Sequence, residues 1–108
     1  MPATYDRVLR NRLIKTVRLD VKNGIVQVRF ANLPQIVTIA VIEENGRYGT
    51  WQDHGVRTPL QADLYRVRQR LYQDPEDALR EALETFCFYC RLAIRRGFEP
   101  HPAWLVPL

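Results

Sequence analysis

The alternation of apolar and polar residues predicts a β-hairpin near the start of the chain. In residues 16–30, TVRLDVKNGIVQVRF, apolar residues recur at every second position on both sides of Asn23-Gly24. An Asn-Gly pair in this setting is typical of a two-residue type I′ turn, because both central residues of that turn need positive φ. A turn at this point places six apolar residues on one face. The predicted pairs are Val21 with Val26, Leu19 with Val28, and Val17 with Phe30.

A second hairpin is predicted over residues 36–52, IVTIAVIEENGRYGTWQ, with its turn at Asn45-Gly46. The predicted pairs are Glu44 with Arg47, Ile42 with Gly49, and Ala40 with Trp51. Pro34 lies in the linker between the hairpins, where it is kept out of a central strand ladder. The two hairpins together predict a four-stranded antiparallel meander over residues 16–53.

The second half of the chain predicts two α-helices within residues 58–96. Thr58 and Gln61 form a capping box around Pro59, and an apolar stripe follows at Leu60, Leu64, Val67 and Leu71. Asp74 and Pro75 begin a second helix, which carries Arg95 and Arg96 in its last turn. Gly97 ends that helix.

The two ends of the chain are less regular in pattern. Residues 1–15 fit either a short helix with Tyr5, Leu9 and Leu13 inward or the first part of strand one. Residues 97–108 contain three prolines and are predicted to form an extended tail. The fold class that follows is a single α+β domain over residues 1–108, with both helices on one face of the sheet. This architecture hosts many unrelated functions.

Composition and charge indicate the cellular location of the protein and whether it contacts a membrane. The net charge is +4, and residues 1–30 alone carry +5. No apolar run is long enough to cross a bilayer, and the first residues carry no apolar signal segment. Two cysteines are too few for a disulfide framework. We therefore expect a cytoplasmic protein without membrane contact.

Cys87 and Cys90 have the C-x-x-C spacing found in redox enzymes and zinc sites. Redox pairs sit at a helix N-terminus, whereas Cys87 is predicted well inside the second helix, among aromatic and aliphatic neighbours. Zinc would need further ligands, and only His54 and His101 are available. We interpret both cysteines as core residues, and we expect no metal and no cofactor.

The best candidate for a catalytic site is Asp53-His54, at the end of the fourth predicted strand. Neighbouring residues in a strand point to opposite faces, so the pair is not expected to touch unless the strand has ended. No nucleophile, nucleotide-binding or paired-carboxylate motif accompanies it. The sequence thus predicts a protein that is not an enzyme, and it identifies no small-molecule substrate.

A basic surface is predicted on the first hairpin. The register above places Arg18 opposite Arg29, a like-charge pair that is unfavourable unless an anion or water lies between. Phosphates of a nucleic acid or another polyanion would suit it. The predicted anion contacts are Arg10, Arg12, Arg18, Lys22 and Arg29. The ordinary alternative is an Arg-rich composition, since 14 of the 16 basic residues are Arg.

An interface is predicted on the third strand, which is apolar on both faces. If Ala40, Ile42 and Trp51 face the helices, the opposite face forms an apolar strip, which is typical of an interface unless the N-terminal segment or the C-terminal tail covers it. The predicted interface residues are Val37, Ile39, Val41, Phe88, Tyr89 and Trp104. We therefore expect a non-catalytic interaction or regulatory protein, in a homo-oligomer or a protein complex. Nucleic-acid binding through the basic hairpin is the alternative.

Overall fold

The computed structural model describes residues 5–65 and 70–108. The strands are β1 (Ile14–Asp20), β2 (Ile25–Phe30), β3 (Val37–Glu44), β4 (Arg47–Gln52), β5 (His54–Val56) and β6 (Leu105–Pro107). The helices are α1 (Asp6–Leu9) and α2 (Pro75–Arg95), and a 3₁₀ turn spans Pro102–Trp104. The predicted α+β class is confirmed. In the described part of the chain no helix is both long and apolar enough to span a membrane.

The main sheet is the predicted antiparallel meander, with strand order β1-β2-β3-β4. β5 and β6 form a separate two-stranded antiparallel sheet. The tail therefore folds back onto its own domain, and Trp104 and Leu105 are buried there. It is extended only in part, because it contains the 3₁₀ turn and β6.

The second hairpin has the predicted register. Asn45 and Gly46 have φ values of 52° and 78°, as a type I′ turn requires. Glu44 pairs with Arg47, Ile42 with Gly49, and Ala40 with Trp51. Here the turn residues and the apolar pattern both determine the same pairing.

The first hairpin has a different register from the predicted one. Its strands are joined by four residues, 21–24, rather than by a two-residue turn. Gly24 has φ of 67°, but Asn23 does not have positive φ, so a type I′ turn is excluded. The carboxylate of Asp20 accepts hydrogen bonds from the Asn23 backbone N–H at 3.2 Å and from its Nδ2 at 2.8 Å. These bonds stabilise the longer loop.

A β-bulge at Val17 also alters the pairing in β1. The observed pairs are Leu19 with Val26, Arg18 with Gln27, Thr16 with Val28, Lys15 with Arg29 and Ile14 with Phe30. The bulge changes which side chains of β1 face the core. Ile14 packs against the core in place of Val17, which is exposed.

The predicted first helix is absent from residues 58–65 and 70–74. Half of its capping box does form, because the Thr58 N–H donates to Gln61 Oε1 at 2.8 Å. The backbone makes a single turn there and bends at residues 62 and 63, after which Tyr65 pairs with Val56. Of the predicted apolar stripe, Leu60 and Leu71 are exposed, and Val67 lies outside the described residues.

The second helix is confirmed as α2. Asp74 is its N-cap and accepts a hydrogen bond from the Glu76 N–H at 2.8 Å, and Pro75 is its first residue. α2 packs on one face of the main sheet, where Phe86 stacks on Phe30 with ring centroids 4.7 Å apart. Both phenyl rings are fully buried at the centre of the core.

The N-terminal segment begins with α1, so the helical alternative is the one observed there. Tyr5 is buried, and Leu9 and Leu13 pack against the core as the helical alternative predicted. The segment then reaches β1, which begins at Ile14. α1 contacts α2, so the N-terminal segment runs beside that helix.

Candidate interaction surfaces

The predicted orientation of β3 is wrong. Val37 and Ile39 are fully buried and Val41 packs against the core, so these residues do not form an exposed strip. The reason is that α2 covers this face of the sheet rather than the opposite one. Trp104 was predicted at an interface and is also wrong in that role, because its side chain is only 3% exposed.

The opposite face of the main sheet is the open one. Ile25, Ala40 and Trp51 lie side by side on three neighbouring strands, in a row across the sheet. Ile42 lies in the next row, beside Gly49. Trp51 is 53% exposed and Ile42 is 49% exposed. These residues form a continuous apolar area.

Leu71 extends this area beyond β4. Tyr72 pairs with Tyr48 through two backbone hydrogen bonds of 2.7 Å, which places the preceding residue alongside Gly49. A Cβ atom at Gly49 would lie 3.1 Å from Leu71 Cδ2, so this leucine occupies the space above the glycine. Leu71 is itself exposed. We call the five residues Ile25, Ala40, Ile42, Trp51 and Leu71 the open-face patch.

The remainder of the open face is polar and basic. Arg18, Gln27 and Thr38 form one row, in which Gln27 Nε2 donates to Thr38 Oγ1 at 3.2 Å. Lys15 and Arg29 form the next pair. Asp20 pairs with Ile25 and lies near Arg18, so the open-face patch is bordered on the side of β1 by charged residues of both signs.

The predicted pairing of Arg18 with Arg29 is wrong, because the longer loop and the bulge shift the register. Arg18 instead lies 3.7 Å from the carboxylate of Asp20. Hydrogen bonds from Asn23, together with the nearby Arg18, lower the pKa of Asp20. It is Lys15 that opposes Arg29.

The other predicted anion contacts do not share one surface. Lys22 is exposed in the loop of the first hairpin. Arg10 lines a small cavity with Arg7 and Arg80, and Arg12 lines a separate groove with residues of α2. The arginines of α2 were not predicted to contribute, because residues from 61 onward have balanced charges in the sequence.

Phe88 and Tyr89 have different environments on α2. Phe88 is 55% exposed, as predicted for an interface residue. Tyr89 packs against the core and lies 5.1 Å from the ring of Tyr65. The two rings of Phe88 and Tyr89 meet edge to face at 5.3 Å.

Asp53 and His54 do touch. β4 ends at Gln52 and β5 begins at His54, so Asp53 lies at a bend between the strands. Its Oδ1 lies 2.6 Å from His54 Nδ1 and also accepts the Thr38 backbone N–H at 2.9 Å. The chain contains no serine to act as a nucleophile beside this pair. The bonds to Asp53 instead tie the end of β4 to β3.

Both cysteines are buried free thiols, 1% and 0% exposed. Burial raises the pKa of the Cys87 thiol to about 12, and the neighbouring Cys90 adds to that effect. Burial raises the pKa of Cys90 to about 11. Within the described residues no group of three or more potential ligands is placed to hold a metal ion.

Neither cysteine is expected to react quickly in the native protein. A thiol reagent reacts with the thiolate, and a raised pKa keeps both groups protonated throughout the neutral range. At neutral pH and again at about pH 9, both thiols should therefore be labelled much more slowly than glutathione, whose thiol has an ordinary pKa. Labelling kinetics at both pH values, repeated in denaturant, would test this. Native labelling as fast as that of glutathione would contradict it.

No family model, curated protein or solved structure matches the chain. The candidate surfaces are therefore argued from their own geometry.

Proposed function

We propose that this is a non-catalytic interaction protein that self-associates through the open-face patch. The exposure of Trp51 on the edge strand β4, next to Ala40 on β3, is the observation that supports this proposal most strongly. An indole placed beside Ile25, Ala40 and Ile42 leaves a continuous apolar surface in water. Such surfaces are typical of interfaces.

A second copy of the chain is the partner that we propose for the open-face patch. Along the strands, Lys15 and Arg29 lie at one end of the open face, and Glu44 lies at the other, opposite Arg47. Two copies packed face to face about a two-fold axis perpendicular to the strands would bring Lys15 and Arg29 of one near Glu44 of the other. Such an interface is self-complementary, as a two-fold dimer requires.

Trp51→Glu is expected to dissociate the oligomer, because a carboxylate in the centre of an apolar interface loses its hydration without gaining a partner. We expect the dissociation constant to rise at least roughly a hundredfold. Phe88→Glu is the matched control, since Phe88 is equally exposed but lies on α2, on the other side of the sheet. Sedimentation velocity over a range of concentrations measures both variants.

Tryptophan fluorescence gives an independent measurement of the same interface. Trp51 is exposed and Trp104 is buried, so the emission that changes on association comes from Trp51. Its emission should shift to shorter wavelength as the protein concentration rises, and Trp51→Phe should remove the shift. A wild-type protein that stays monomeric at high micromolar concentration, with unchanged emission, would refute self-association through this face.

Polyanion or nucleic-acid binding through the first hairpin is a second candidate. The observation that favours it is the pair of Lys15 and Arg29 on the open face. The Arg29 Nε is buried and has no hydrogen-bond partner within the described residues. A phosphate held near Lys15 and Arg29 would be attracted by both positive charges, and such binding would weaken steeply with salt.

We also propose a cytoplasmic location. Two unpaired cysteine thiols suit a reducing compartment better than an oxidising one. The buried position of both thiols is consistent with a role in packing.

A further inference from the structure

A groove between the N-terminal segment and the end of α2 has a composition unlike the rest of the surface. Its volume is about 400 Å³. Three arginines line it, together with two aliphatic residues and one amide: Asn11, Arg12, Leu13, Arg91, Ile94 and Arg95. No carboxylate lines it. We call it the basic groove.

The charge of the basic groove is not neutralised by the protein. α2 carries its acidic residues in its first half, where Glu76 lies 3.8 Å from both Arg7 and Arg80, and Asp77 lies 2.6 Å from Arg80. Within the described residues none of the three arginines of the groove forms an ion pair. The helix dipole offsets only about half a charge at the C-terminus of α2. The groove therefore keeps a net positive charge.

The floor of the groove is aliphatic. Leu13 packs partly against the core, and Ile94 is partly exposed on the last turn of α2. Asn11 fixes the rim, because its Oδ1 accepts the Leu13 N–H at 2.9 Å and its carbonyl accepts the Ile14 N–H at 3.0 Å. A rigid apolar floor between cations suits a ligand that carries both an apolar group and negative charge.

We propose that the basic groove binds an acidic peptide segment of a partner protein, with an apolar side chain seated on Leu13 and Ile94. The carboxylates of the segment would bond to Arg12, Arg91 and Arg95 through charge-assisted hydrogen bonds. Nucleic acid fits less well. No aromatic side chain lines the groove for base stacking, and the cations near the start of α2 are already paired, so a longer row of phosphates would find few free contacts.

A labelled peptide of Glu and Gly with one central Leu tests the proposal by fluorescence anisotropy. It should bind the protein, and the same peptide with Ser in place of Leu should bind more weakly. Arg95→Glu should weaken binding at least roughly tenfold. Arg96→Glu is the matched control, because it makes the same charge change at the same helix end but lies outside the groove. We expect it to weaken binding no more than roughly threefold.

Four results would overturn the proposal. The first is equal binding of the Leu and Ser peptides, and the second is an equal effect of Arg95→Glu and Arg96→Glu. The third is tighter binding of a single-stranded DNA of matched charge, which would indicate a polyanion site instead. Absence of peptide binding at low salt would also refute it. The groove is independent of the open-face patch, so Trp51→Glu should leave peptide binding unchanged, and each proposal can fail alone.

Discussion

Replacing Phe86 with alanine is expected to lower the free energy of unfolding by about 4 kcal/mol. Phe86 is fully buried and stacks on Phe30, with the two ring planes only 12° apart. Truncation removes the apolar area of the ring, its dispersion contacts and the stacking contribution, and it leaves a cavity between α2 and the sheet. Single domains are stable by about 5–15 kcal/mol, so this loss is a large fraction of the total free energy of unfolding.

Phe88→Ala is the matched control for this prediction. It removes the same ring from the same helix at a position that is 55% exposed, so we expect a change within about 0.5 kcal/mol. Urea denaturation followed by circular dichroism measures both variants, and the midpoints should differ while the slopes stay similar. Equal losses in the two variants would mean that the core is not centred on the Phe30–Phe86 contact.

Gly24→Ala is expected to cost about 3 kcal/mol, the second largest effect that we predict. Gly24 has φ of 67°, a region that costs an L residue about 1 kcal/mol. A Cβ atom would also lie 2.7 Å from the carbonyl oxygen of Val41, which is backbone and cannot rotate away. Relief of that contact would disturb the hydrogen bond from the Val41 N–H to the Gly24 carbonyl, which is 2.7 Å long.

Gly46→Ala separates the two contributions. Gly46 also has positive φ, 78°, but a Cβ atom there would have no neighbour within 4 Å. This variant should therefore lose only about 1 kcal/mol. Thermal unfolding of both proteins gives the comparison. Similar melting temperatures would show that the loop can move away from β3 at little cost.

The two hairpins show where the sequence was sufficient to predict the strand pairing and where it was not. At Asn45-Gly46 no other side chain competes, so the turn and the apolar pattern determine the pairing together. At Asn23-Gly24 the carboxylate of Asp20 bonds to Asn23 and stabilises a four-residue loop. The sequence shows that Asp20 lies close to Asn23 along the chain. Whether the four-residue loop forms in place of a type I′ turn depends on how β2 packs beside β3, which the sequence does not show.

The face of β3 that is buried could not be determined from the strand alone. Val37 and Ile39 alternate with Ala40 and Ile42, so both faces are apolar in the sequence. The choice depends on α2, which is distant in the sequence and packs on the face with the larger β-branched residues. Phe88 is exposed on α2, whereas Tyr89, which was predicted with it as an interface residue, packs against the core.

Residues 58–61 show that a hydrogen bond typical of a capping box can form without the helix that a capping box usually begins. The Thr58 N–H bonds to Gln61 as a capping box requires, and Gln61 Nε2 then donates to the Val56 carbonyl at 3.0 Å. That second bond, and the pairing of Tyr65 with Val56, hold the chain extended beside β5. The basic groove had no sequence signal of its own, since Arg12 and Arg91 are brought together only by the packing of the N-terminal segment on α2.

The pairing of β5 with β6 has a consequence for the order in which the chain folds. The β3–β4 hairpin closes through two residues, whereas β5 and β6 are separated by the whole of α2 and its flanking segments. The entropy lost on closing a loop grows with its length, so non-local pairings are slower to form. The small sheet should therefore form late, and Trp104 should become buried late, after α2 has packed on the main sheet. Until then the side of the core that Trp104 and β6 cover is exposed. The chain is most vulnerable to aggregation and proteolysis during this interval.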